Sequence, residues 1–569
     1  MLEGCTPWPA EFAERYRRHG YWRDQTLGDL VDIWANAYGD RVALISATQR
    51  VTYVELRRRI DRLALHLLRL GLRPTDRMVI QLGNVPEFVY LYYACARVGV
   101  LPVMTLPPHR FAEISYLADF SGAVAYAAPA RIKGFDYRQL ARELRQAVPA
   151  LAHVLIAGEA AGAMVSFDEL LADPIQEREP PERLATVRPD PSDVALFLLS
   201  GSTTGLPKLI PRTHNDYEYN SRASGAVSGI GPDTVYLVVL PIAHNFPLAS
   251  PGLQSVLQAG GRVVLCGSTD LADQFALIER EGVTHVALVP ALAIRWMEAS
   301  TGDRVEASRR HDLSSLRVLQ VGGARLNPEP AARVRPTLGC QLQQVFGMAE
   351  GLLNYTRLDD PAEEIVQSQG RPCSPGDEFR IVDEADRDVP PGELGSLLTR
   401  GPYTIRGYYN VPEHNRRAFT ADGFYRTGDV VRLSPRGNLI VEGREKDLIN
   451  RGGEKISAEE IENLILAHPG VSNAAVVAMP DPLLGERTCA YVVPKPDATL
   501  DLAGLLRFLE AKQIARFKLP ERLEVVDSLP LTTVGKVSKK DLREDIARKL
   551  AAETRLTPGS TLRPGSDPS

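Results

Sequence analysis

Val194-Ala-Leu-Phe-Leu-Leu199, followed at once by Ser200-Gly-Ser-Thr-Thr-Gly-Leu-Pro-Lys208, is the stretch from which the fold of this chain can be predicted. The apolar run has the length of a strand, and its unbroken hydrophobicity is typical of a strand covered on both faces. In the loop, glycines let backbone N–H groups approach an anion closely, while hydroxyls and a lysine add donors and positive charge. The pair therefore predicts a phosphate-binding loop at the end of a buried strand.

The spacing of the loop disfavours one class of nucleotide site. A P-loop NTPase needs the pattern G-x-x-x-x-G-K-[ST], whereas Gly205 is followed here by Leu-Pro-Lys-Leu. Taken alone, a Gly/Ser/Thr loop is also typical of an ordinary hydroxyl-rich surface turn, so both interpretations stay open at this point. The residues predicted to contact phosphate are Ser200, Gly201, Ser202, Thr203, Thr204, Gly205 and Lys208.

Similar apolar runs alternate with longer helical patterns along the chain, and this alternation predicts an α/β fold with largely buried sheets. Further runs of this kind are Arg262-Val-Val-Leu-Cys266, His285-Val-Ala-Leu-Val289 and Leu316-Arg-Val-Leu-Gln-Val321. Periodicity alone also allows a buried helix for runs this short. Because 569 residues exceed what one hydrophobic core usually organises, we expect several packed α/β subdomains.

The pattern changes after Arg444 to a small α+β arrangement that could fold by itself. Ser457 can cap a helix, with Glu460 completing a capping box. Strands are predicted at Ala474-Ala-Val-Val-Ala478 and Cys489-Ala-Tyr-Val-Val493, and a helix from Leu502. The predicted domains are a core at 1–445, a small domain at 446–552 and a Pro/Gly-rich flexible tail at 553–569.

Composition disfavours several functional classes. The 66 Lys and Arg residues against 71 Asp and Glu give a formal charge of −5, and no basic block favours nucleic acid as a partner. Six cysteines without a C-x-x-C pair fit neither a disulfide framework nor a structural zinc site, which favours a reducing cytoplasm. The N-terminus carries Glu3, Glu11 and Glu14 with no apolar segment of signal-peptide type after them, so we expect no secretory signal. No run reaches about 18 consecutive apolar residues, so we expect no membrane span.

Five more short segments occur in order after the loop: Val345-Phe-Gly-Met-Ala-Glu350, Tyr425-Arg-Thr-Gly-Asp429, Gly443-Arg-Glu-Lys-Asp447, Arg451-Gly-Gly-Glu-Lys455 and Val534-Gly-Lys536. With these motifs, the sequence from about Trp22 to Leu550 resembles the adenylate-forming superfamily of acyl-CoA synthetases, nonribosomal-peptide adenylation domains and luciferases. The segments at 243–252 and 346–354 are most similar to the stand-alone aryl-acid ligases of siderophore assembly, which adenylate 2,3-dihydroxybenzoate or salicylate.

The resemblance implies an ATP- and Mg²⁺-dependent ligase with a large N-terminal domain and a small mobile C-terminal domain. In such enzymes a carboxylate attacks the α-phosphorus of ATP, so two anions must be brought together. Lys536 matches the catalytic lysine that bridges carboxylate and α-phosphate, although most lysines are solvated surface residues. Glu350 matches the magnesium ligand, because hard carboxylate oxygens shared with phosphate suit Mg²⁺.

Four further residues match contacts to the nucleotide. Asp429 matches the carboxylate that accepts from both ribose hydroxyls, and Arg444 a second contact to the sugar region; an ordinary turn residue is the alternative for Asp429. Gly323 and Val345 match residues that flank adenine and the acyl pocket, and core packing is the alternative for Val345. Ala349 departs from the commoner superfamily pattern, which has a threonine there, and resembles the aryl-acid subgroup in doing so.

The resemblance also assigns an aryl-acid pocket, formed by His244, Asn245, Phe246, Ser250 and Leu353. Asn245 matches the amide that bonds a ring hydroxyl ortho to the carboxylate, and this favours ortho-hydroxylated acids over benzoate. Ser250 is typical of dihydroxybenzoate enzymes, whereas Leu353 is bulkier than their usual valine. Ser250 thus favours 2,3-dihydroxybenzoate, whereas Leu353 favours a less substituted ring. One methylene and one hydrogen bond change the free energy of discrimination between acids by similar amounts, so both acids stay open.

For the second half-reaction, the resemblance implies a hinge at Lys446 and a pantetheine-facing loop at Gly452 and Gly453. The expected acceptor is the phosphopantetheine thiol of a separate aryl carrier protein, with coenzyme A as the small-molecule alternative. An acyl-CoA or fatty-acid ligase would share the first step. A degenerate nucleotide-binding sensor is the non-enzymatic alternative, and intact Lys536, Glu350 and Asp429 disfavour it.

Overall fold

The structure is a computed structural model that describes residues 1–200, 207–301, 311–444, 447–451, 454–481, 484–512, 516–532 and 536–556. Its helices are Ala10–Arg18 (α1), Leu27–Tyr38 (α2), Tyr53–Arg69 (α3), Pro86–Val98 (α4), Phe111–Ser121 (α5), Tyr137–Ala147 (α6), Phe167–Ala172 (α7), His214–Val227 (α8), Asn245–Ala249 (α9), Gly252–Gln258 (α10), Leu271–Glu281 (α11), Pro290–Thr301 (α12), Pro328–Leu338 (α13), Ala362–Gln367 (α14), Pro412–Ala418 (α15), Ala458–Leu466 (α16), Leu502–Glu510 (α17) and Lys539–Leu556 (α18).

Its strands are Val42–Ile45 (β1), Arg50–Thr52 (β2), Arg77–Ile80 (β3), Leu101–Met104 (β4), Ala123–Pro129 (β5), Arg131–Ile132 (β6), Phe135–Asp136 (β7), His153–Ala157 (β8), Val165–Ser166 (β9), Val194–Leu199 (β10), Leu209–Thr213 (β11), Val235–Val238 (β12), Arg262–Leu265 (β13), His285–Leu288 (β14), Val318–Val321 (β15), Gln341–Met348 (β16), Gly351–Tyr355 (β17), Arg371–Pro372 (β18), Glu378–Val382 (β19), Gly395–Arg400 (β20), Tyr425–Leu433 (β21), Leu439–Arg444 (β22), Leu448–Arg451 (β23), Glu454–Ser457 (β24), Val471–Asp481 (β25), Gly485–Pro494 (β26) and Arg522–Val525 (β27). Within the described residues, each of the four predicted N-terminal apolar runs contains a strand.

The first compact unit comprises Met1–Thr427 and Val431–Val441 and contains two large sheets. One has the strand order β18-β17-β16-β15-β14-β12-β13-β1-β2 and the other β11-β10-β4-β3-β5-β8-β9. Most of their pairs are parallel, with antiparallel pairs towards the edges, including β10 with β11 and β16 with β17. Parallel strands need crossover helices that cover both faces, and this explains their continuous apolar sequence.

The second compact unit comprises Gly428–Val430 and Glu442–Ser569. Its central antiparallel pair, β25 with β26, alternates side chains between two hydrophobic clusters. Ala474 and Val476 pack in one cluster with residues of α16 and α17, whereas Ala475 and Val477 pack in the other with residues of α18. The two-faced core gives this unit the α+β architecture that the sequence predicts.

The structure corrects two local predictions in this unit. The hydroxyl of Ser457 accepts from the Glu460 backbone N–H at 3.2 Å, as expected for a helix cap. The Glu460 carboxylate does not complete a capping box but pairs with the Lys518 amine at 2.7 Å. Helix α18 extends to Leu556, past the predicted start of the tail at residue 553, and residues 557–569 lie outside the described chain.

Among the helices that the structure describes, none combines the length and the apolar character needed to cross a lipid bilayer.

Candidate active site

The predicted phosphate loop begins and ends on the antiparallel pair of β10 and β11. The Ser200 backbone N–H donates to the Lys208 carbonyl oxygen at 3.0 Å, and the Lys208 N–H donates to Ser200 Oγ at 3.0 Å. These bonds close the two ends of the loop against each other. Gly201, Ser202, Thr203, Thr204 and Gly205 lie outside the described residues.

Glu350 lies in the turn between β16 and β17 and is 8% exposed. The Tyr408 hydroxyl donates to Glu350 Oε1 at 2.8 Å, and the hydroxyls of Tyr408 and Tyr425 are 2.8 Å apart. Since the single Tyr408 proton is given to Glu350, Tyr425 is the donor in the second bond. Burial, reinforced by the negative Glu350, raises the pKa of Tyr408 well above its ordinary value, so Tyr408 stays protonated.

A cation lies near the tyrosine that holds this carboxylate. The Lys208 amine is 5.7 Å from the centroid of the Tyr408 ring, whose hydroxyl holds Glu350. Within the described part of the chain, no three His, Cys, Asp or Glu side chains cluster as a metal cage. One buried, oriented carboxylate fits Mg²⁺ held jointly by protein and phosphate oxygens, which is its usual mode with nucleotides.

The predicted acid-recognition residues meet at the short helix α9. Asn245, the first residue of α9, is 8% exposed, and Ser250, which follows the helix, is 2% exposed. The Tyr217 hydroxyl donates to Asn245 Oδ1 at 2.9 Å, and Asn245 Nδ2 donates to Ser250 Oγ at 3.0 Å. His244 is exposed and precedes the helix in extended conformation. The structure therefore brings Asn245 and Ser250 into one polar cluster.

An apolar wall accompanies this cluster. Phe246, Val345 and Leu353 belong to one hydrophobic cluster, to which α8 also contributes. A Cβ atom at Gly322 would lie 2.9 Å from the Val345 carbonyl oxygen and 3.1 Å from Phe246 Cε1, so a side chain there would force its neighbours to shift. The neighbouring Gly323 has φ +82°, a conformation that favours glycine. Flat apolar surfaces with few polar groups are typical of sites for planar ligands.

Leu353 is supported from behind by a buried polar chain. Its backbone N–H donates to the Tyr403 hydroxyl at 3.2 Å, and Tyr403 donates in turn to Asp377. Burial raises the pKa of the Asp377 carboxyl from 3.8 to about 8, against the hydrogen bond from Tyr403. The carboxyl is therefore held in its neutral form through much of the range in which free aspartate is ionised.

Asp377→Asn should flatten the dependence of stability on pH. The folded protein binds the Asp377 proton up to about pH 8, whereas the unfolded chain releases it near pH 4. The stability that this proton contributes is therefore full at low pH and is lost as pH rises from about 4 to about 8. Asparagine keeps the shape and an acceptor for Tyr403 but does not titrate. The check is the difference in unfolding midpoint between pH 5 and pH 8, and an equal difference in both proteins would contradict the assignment.

The second unit groups three predicted residues. Arg444 Nε lies 3.0 Å from Asp429 Oδ1, and Asp429 is 8% exposed. Although Lys536 is exposed, desolvation of its amine and then the charge of Arg444 lower the pKa of Lys536, whereas Asp429 raises it. Its backbone is fixed by Thr532, whose N–H donates to the Lys536 carbonyl oxygen at 2.6 Å. Lys446, Gly452 and Gly453 lie outside the described residues.

Sequence reasoning did not identify Tyr408, Tyr217 or Asn220, which hold the predicted residues in place. Tyr408 lies outside the motifs named above. Its hydrogen bond to Glu350 joins residues that are 58 apart in sequence. Tyr217 and Asn220 lie on α8, whose polar sequence suggests a surface helix although most of its residues are buried. Only the tertiary structure shows that these polar groups satisfy one another.

Comparison with known proteins gives long matches. The family described as AMP-binding enzyme matches residues 31–409, and its C-terminal domain matches residues 460–536. The 2,3-dihydroxybenzoate-AMP ligase of Bacillus subtilis (strain 168) is 54% identical over 552 residues, covering 97% of this chain and 99% of that protein. A salicylyl-CoA synthase / salicylate adenylyltransferase of a Streptomyces species is 54% identical over 549 residues, covering 96% and 98%.

Among solved structures, ATP-bound MatB from Rhodopseudomonas palustris superposes with a TM-score of 0.81 at 27% identity, covering 92% of this chain and 99% of that one. This match confirms the predicted fold, a mixed α/β chain with a large N-terminal and a small C-terminal domain. The family and the aryl-acid relatives confirm the resemblance that the motifs predict. The chain thus belongs to the AMP-binding enzyme family, whose members use ATP.

Proposed function

We propose that this protein activates an aryl carboxylic acid of the 2,3-dihydroxybenzoate or salicylate type as its adenylate, with release of pyrophosphate. It then transfers the aryl group to the phosphopantetheine thiol of an aryl carrier protein in the cytoplasm. The observation that carries the proposal is the buried Asn245–Ser250 cluster beside the apolar wall of Phe246, Val345 and Leu353. The activities named for the two relatives support the same choice of acid.

In the first step, a carboxylate oxygen of the acid bonds to the α-phosphorus of ATP as the bond to pyrophosphate breaks. Lys208 and the loop at 200–208 bind the phosphates. Glu350, held by Tyr408, binds Mg²⁺, which when present neutralises phosphate charge. Asp429 and Arg444 bind the ribose, with Gly323 and Val345 beside the adenine. Lys536 stabilises the charge that develops between carboxylate and phosphate.

The ring hydroxyls are recognised at Asn245 and Ser250, while Leu353 limits the size of the ring. Ser250→Cys should shift the preference towards salicylate, because a thiol is a weaker hydrogen-bond partner for a second ring hydroxyl. We expect the ratio of kcat/KM for 2,3-dihydroxybenzoate over salicylate to fall about tenfold, the value of one such bond. An unchanged ratio would show that Ser250 is only structural.

In the second step, the thiolate attacks the acyl carbon and AMP leaves with the former carboxylate oxygen. We propose that the C-terminal domain turns about Lys446 between the steps, which presents Gly452 and Gly453 to the pantetheine arm. Coenzyme A is the alternative acceptor. Thioester formation with a carrier protein and with coenzyme A, measured side by side from the same aryl-AMP pool, distinguishes the two acceptors.

Exchange of labelled pyrophosphate into ATP tests the proposed acid class. The panel contains 2,3-dihydroxybenzoate, salicylate, benzoate and a medium-chain fatty acid. We expect the two hydroxylated acids to support the fastest exchange and benzoate a slower one, because benzoate leaves the buried polar groups unpaired. Fastest exchange with the fatty acid would replace the proposal by a fatty-acid ligase.

A further inference from the structure

Two buried side chains that lie in none of the matched motifs support the acid-recognition cluster, Asn220 by direct contact with Ser250 and Arg212 through Asn220. Arg212 on β11 and Asn220 on α8 are each 0% exposed. The Arg212 guanidinium donates to Asp216 at 2.7 Å and to the carbonyl oxygens of Ala349 at 2.8 Å and Tyr403 at 3.2 Å. Its remaining bond, also 3.2 Å, goes to Asn220 Oδ1. Because arginine only donates, Asn220 must turn its amide oxygen towards Arg212.

This orientation fixes what Ser250 can offer a ligand. With its oxygen on Arg212, the Asn220 amide nitrogen donates to the Ala249 carbonyl oxygen and, at 3.2 Å, to Ser250 Oγ. Asn245 Nδ2 donates to the same oxygen at 3.0 Å. A hydroxyl oxygen has two lone pairs, and both are now occupied. Ser250 can therefore only donate its own hydroxyl proton to a ligand.

Asn245 is restricted in the same sense. The Asn245 amide oxygen accepts the proton of the Tyr217 hydroxyl at 2.9 Å. Among the described residues, Asn245 is the hydrogen-bond acceptor for that hydroxyl. One N–H of the Asn245 amide is used on Ser250, so the second N–H remains for a ligand. Asn245 and Ser250 thus each keep one donor.

We propose that Arg212 and Asn220 are positioning residues that leave Asn245 and Ser250 with only hydrogen-bond donors to offer the ring. The site therefore selects acids whose ortho substituent accepts a hydrogen bond, and it rejects ortho-amino acids. This inference rests on the proposed function. A hydroxyl ortho to a carboxylate turns its proton towards that carboxylate and keeps lone pairs for outside donors. An ortho-amino nitrogen has its lone pair delocalised into the ring, and it would bring N–H groups against the Asn245 N–H.

Salicylate and 2-aminobenzoate differ only in the ortho group, which is a hydroxyl in one and an amine in the other, so their comparison tests the proposal. Salicylate and 2-aminobenzoate have similar size and the same carboxylate, whereas benzoate lacks the ortho group. We expect kcat/KM for salicylate to exceed that for 2-aminobenzoate by about 10- to 100-fold in the unmodified enzyme, the effect of a buried donor left unpaired. Equal values would overturn the proposal.

Asn220→Asp changes the polarity without changing the shape. One carboxylate oxygen keeps the contact with Arg212. The other replaces the amide nitrogen, so it accepts the Ser250 proton and the bond to the Ala249 carbonyl oxygen is lost. Because Ser250 then no longer donates its proton to the second ring hydroxyl, the ratio of kcat/KM for 2,3-dihydroxybenzoate over salicylate should fall several-fold, mainly through KM. Because the added charge can slow all acids, benzoate in the same assay gives the common factor to divide out.

Tyr217→Phe is a second variant, and it removes the hydroxyl that donates to Asn245. It frees the Asn245 amide to turn, so the ratio of kcat/KM for salicylate over 2-aminobenzoate should fall several-fold. Tyr236→Phe is the matched control, because the buried Tyr236 hydroxyl has no hydrogen-bond partner among the described residues. This variant should leave the ratios of kcat/KM between the acids unchanged. If Asn220→Asp leaves the ratio for 2,3-dihydroxybenzoate over salicylate unchanged and Tyr217→Phe slows salicylate, 2-aminobenzoate and benzoate equally, Arg212 and Asn220 are structural only and the inference fails. If the unmodified enzyme adenylates none of the acids, the proposed function fails and this inference with it.

Discussion

Lys536→Ala should lower the rate of aryl-AMP formation by about 10²- to 10³-fold, the usual effect of removing one preorganised group that stabilises charge in a transition state. The transfer of the aryl group from supplied aryl-AMP to a thiol should change little, because no second anion has to approach phosphorus in that step. Stopped-flow or quenched single-turnover measurements of the two half-reactions separate these effects.

Lys540→Ala is the matched control for this prediction. Lys540 is also exposed and lies close in sequence, and its amine is 3.8 Å from Glu544, a pair on the surface of α18. Exposed pairs of this kind contribute little to stability. Both half-reactions should therefore keep their rates in Lys540→Ala. Equal loss of both half-reactions in Lys536→Ala would show that Lys536 does not act in adenylation specifically.

Glu350→Gln should lower kcat/KM for ATP by about 10²-fold and raise the Mg²⁺ concentration needed for half-maximal rate. The amide keeps an oxygen that can accept from Tyr408, so the local structure should persist while the negative charge is lost. A neutral oxygen is a much weaker ligand for a hard cation than a carboxylate. Exchange rates measured over a range of ATP concentrations give the first effect, and their titration with Mg²⁺ gives the second.

An exposed residue provides the comparison. Glu363→Gln makes the same chemical change on an exposed residue of the short helix α14 and should leave the Mg²⁺ titration unchanged. A Glu350→Gln enzyme with the wild-type Mg²⁺ dependence would remove Glu350 from the nucleotide site. A lower rate that excess Mg²⁺ does not restore at all would instead indicate a structural role.

The buried strands could be predicted because their position in the fold dictates their composition. Val194–Leu199 lies in the interior of a sheet covered by helices, and its unbroken apolar sequence follows from that environment. The small domain was equally predictable from its alternating strands and amphipathic helices. By contrast, Glu460 has the sequence pattern of a capping box, but a tertiary contact with Lys518 takes its carboxylate.

The site could be predicted only where a motif carries it. Asn245 and Ser250 follow from the resemblance, but the bonds that fix their polarity come from Tyr217 and Asn220 on a helix with no apolar stripe. Arg212 was likewise hidden, since a charged residue on a strand usually indicates an exposed face. Buried polar networks depend on partners that are distant in sequence, and periodicity does not reveal them.

Transfer of ¹⁸O tests the central claim most directly. The enzyme is given ATP, Mg²⁺, a thiol acceptor and salicylate labelled with ¹⁸O in both carboxylate oxygens, and the nucleotide products are analysed by mass spectrometry. If a carboxylate oxygen attacks the α-phosphorus, each turnover must yield pyrophosphate and AMP that carries one ¹⁸O atom. Formation of ADP and phosphate, or of AMP without label, would contradict the account.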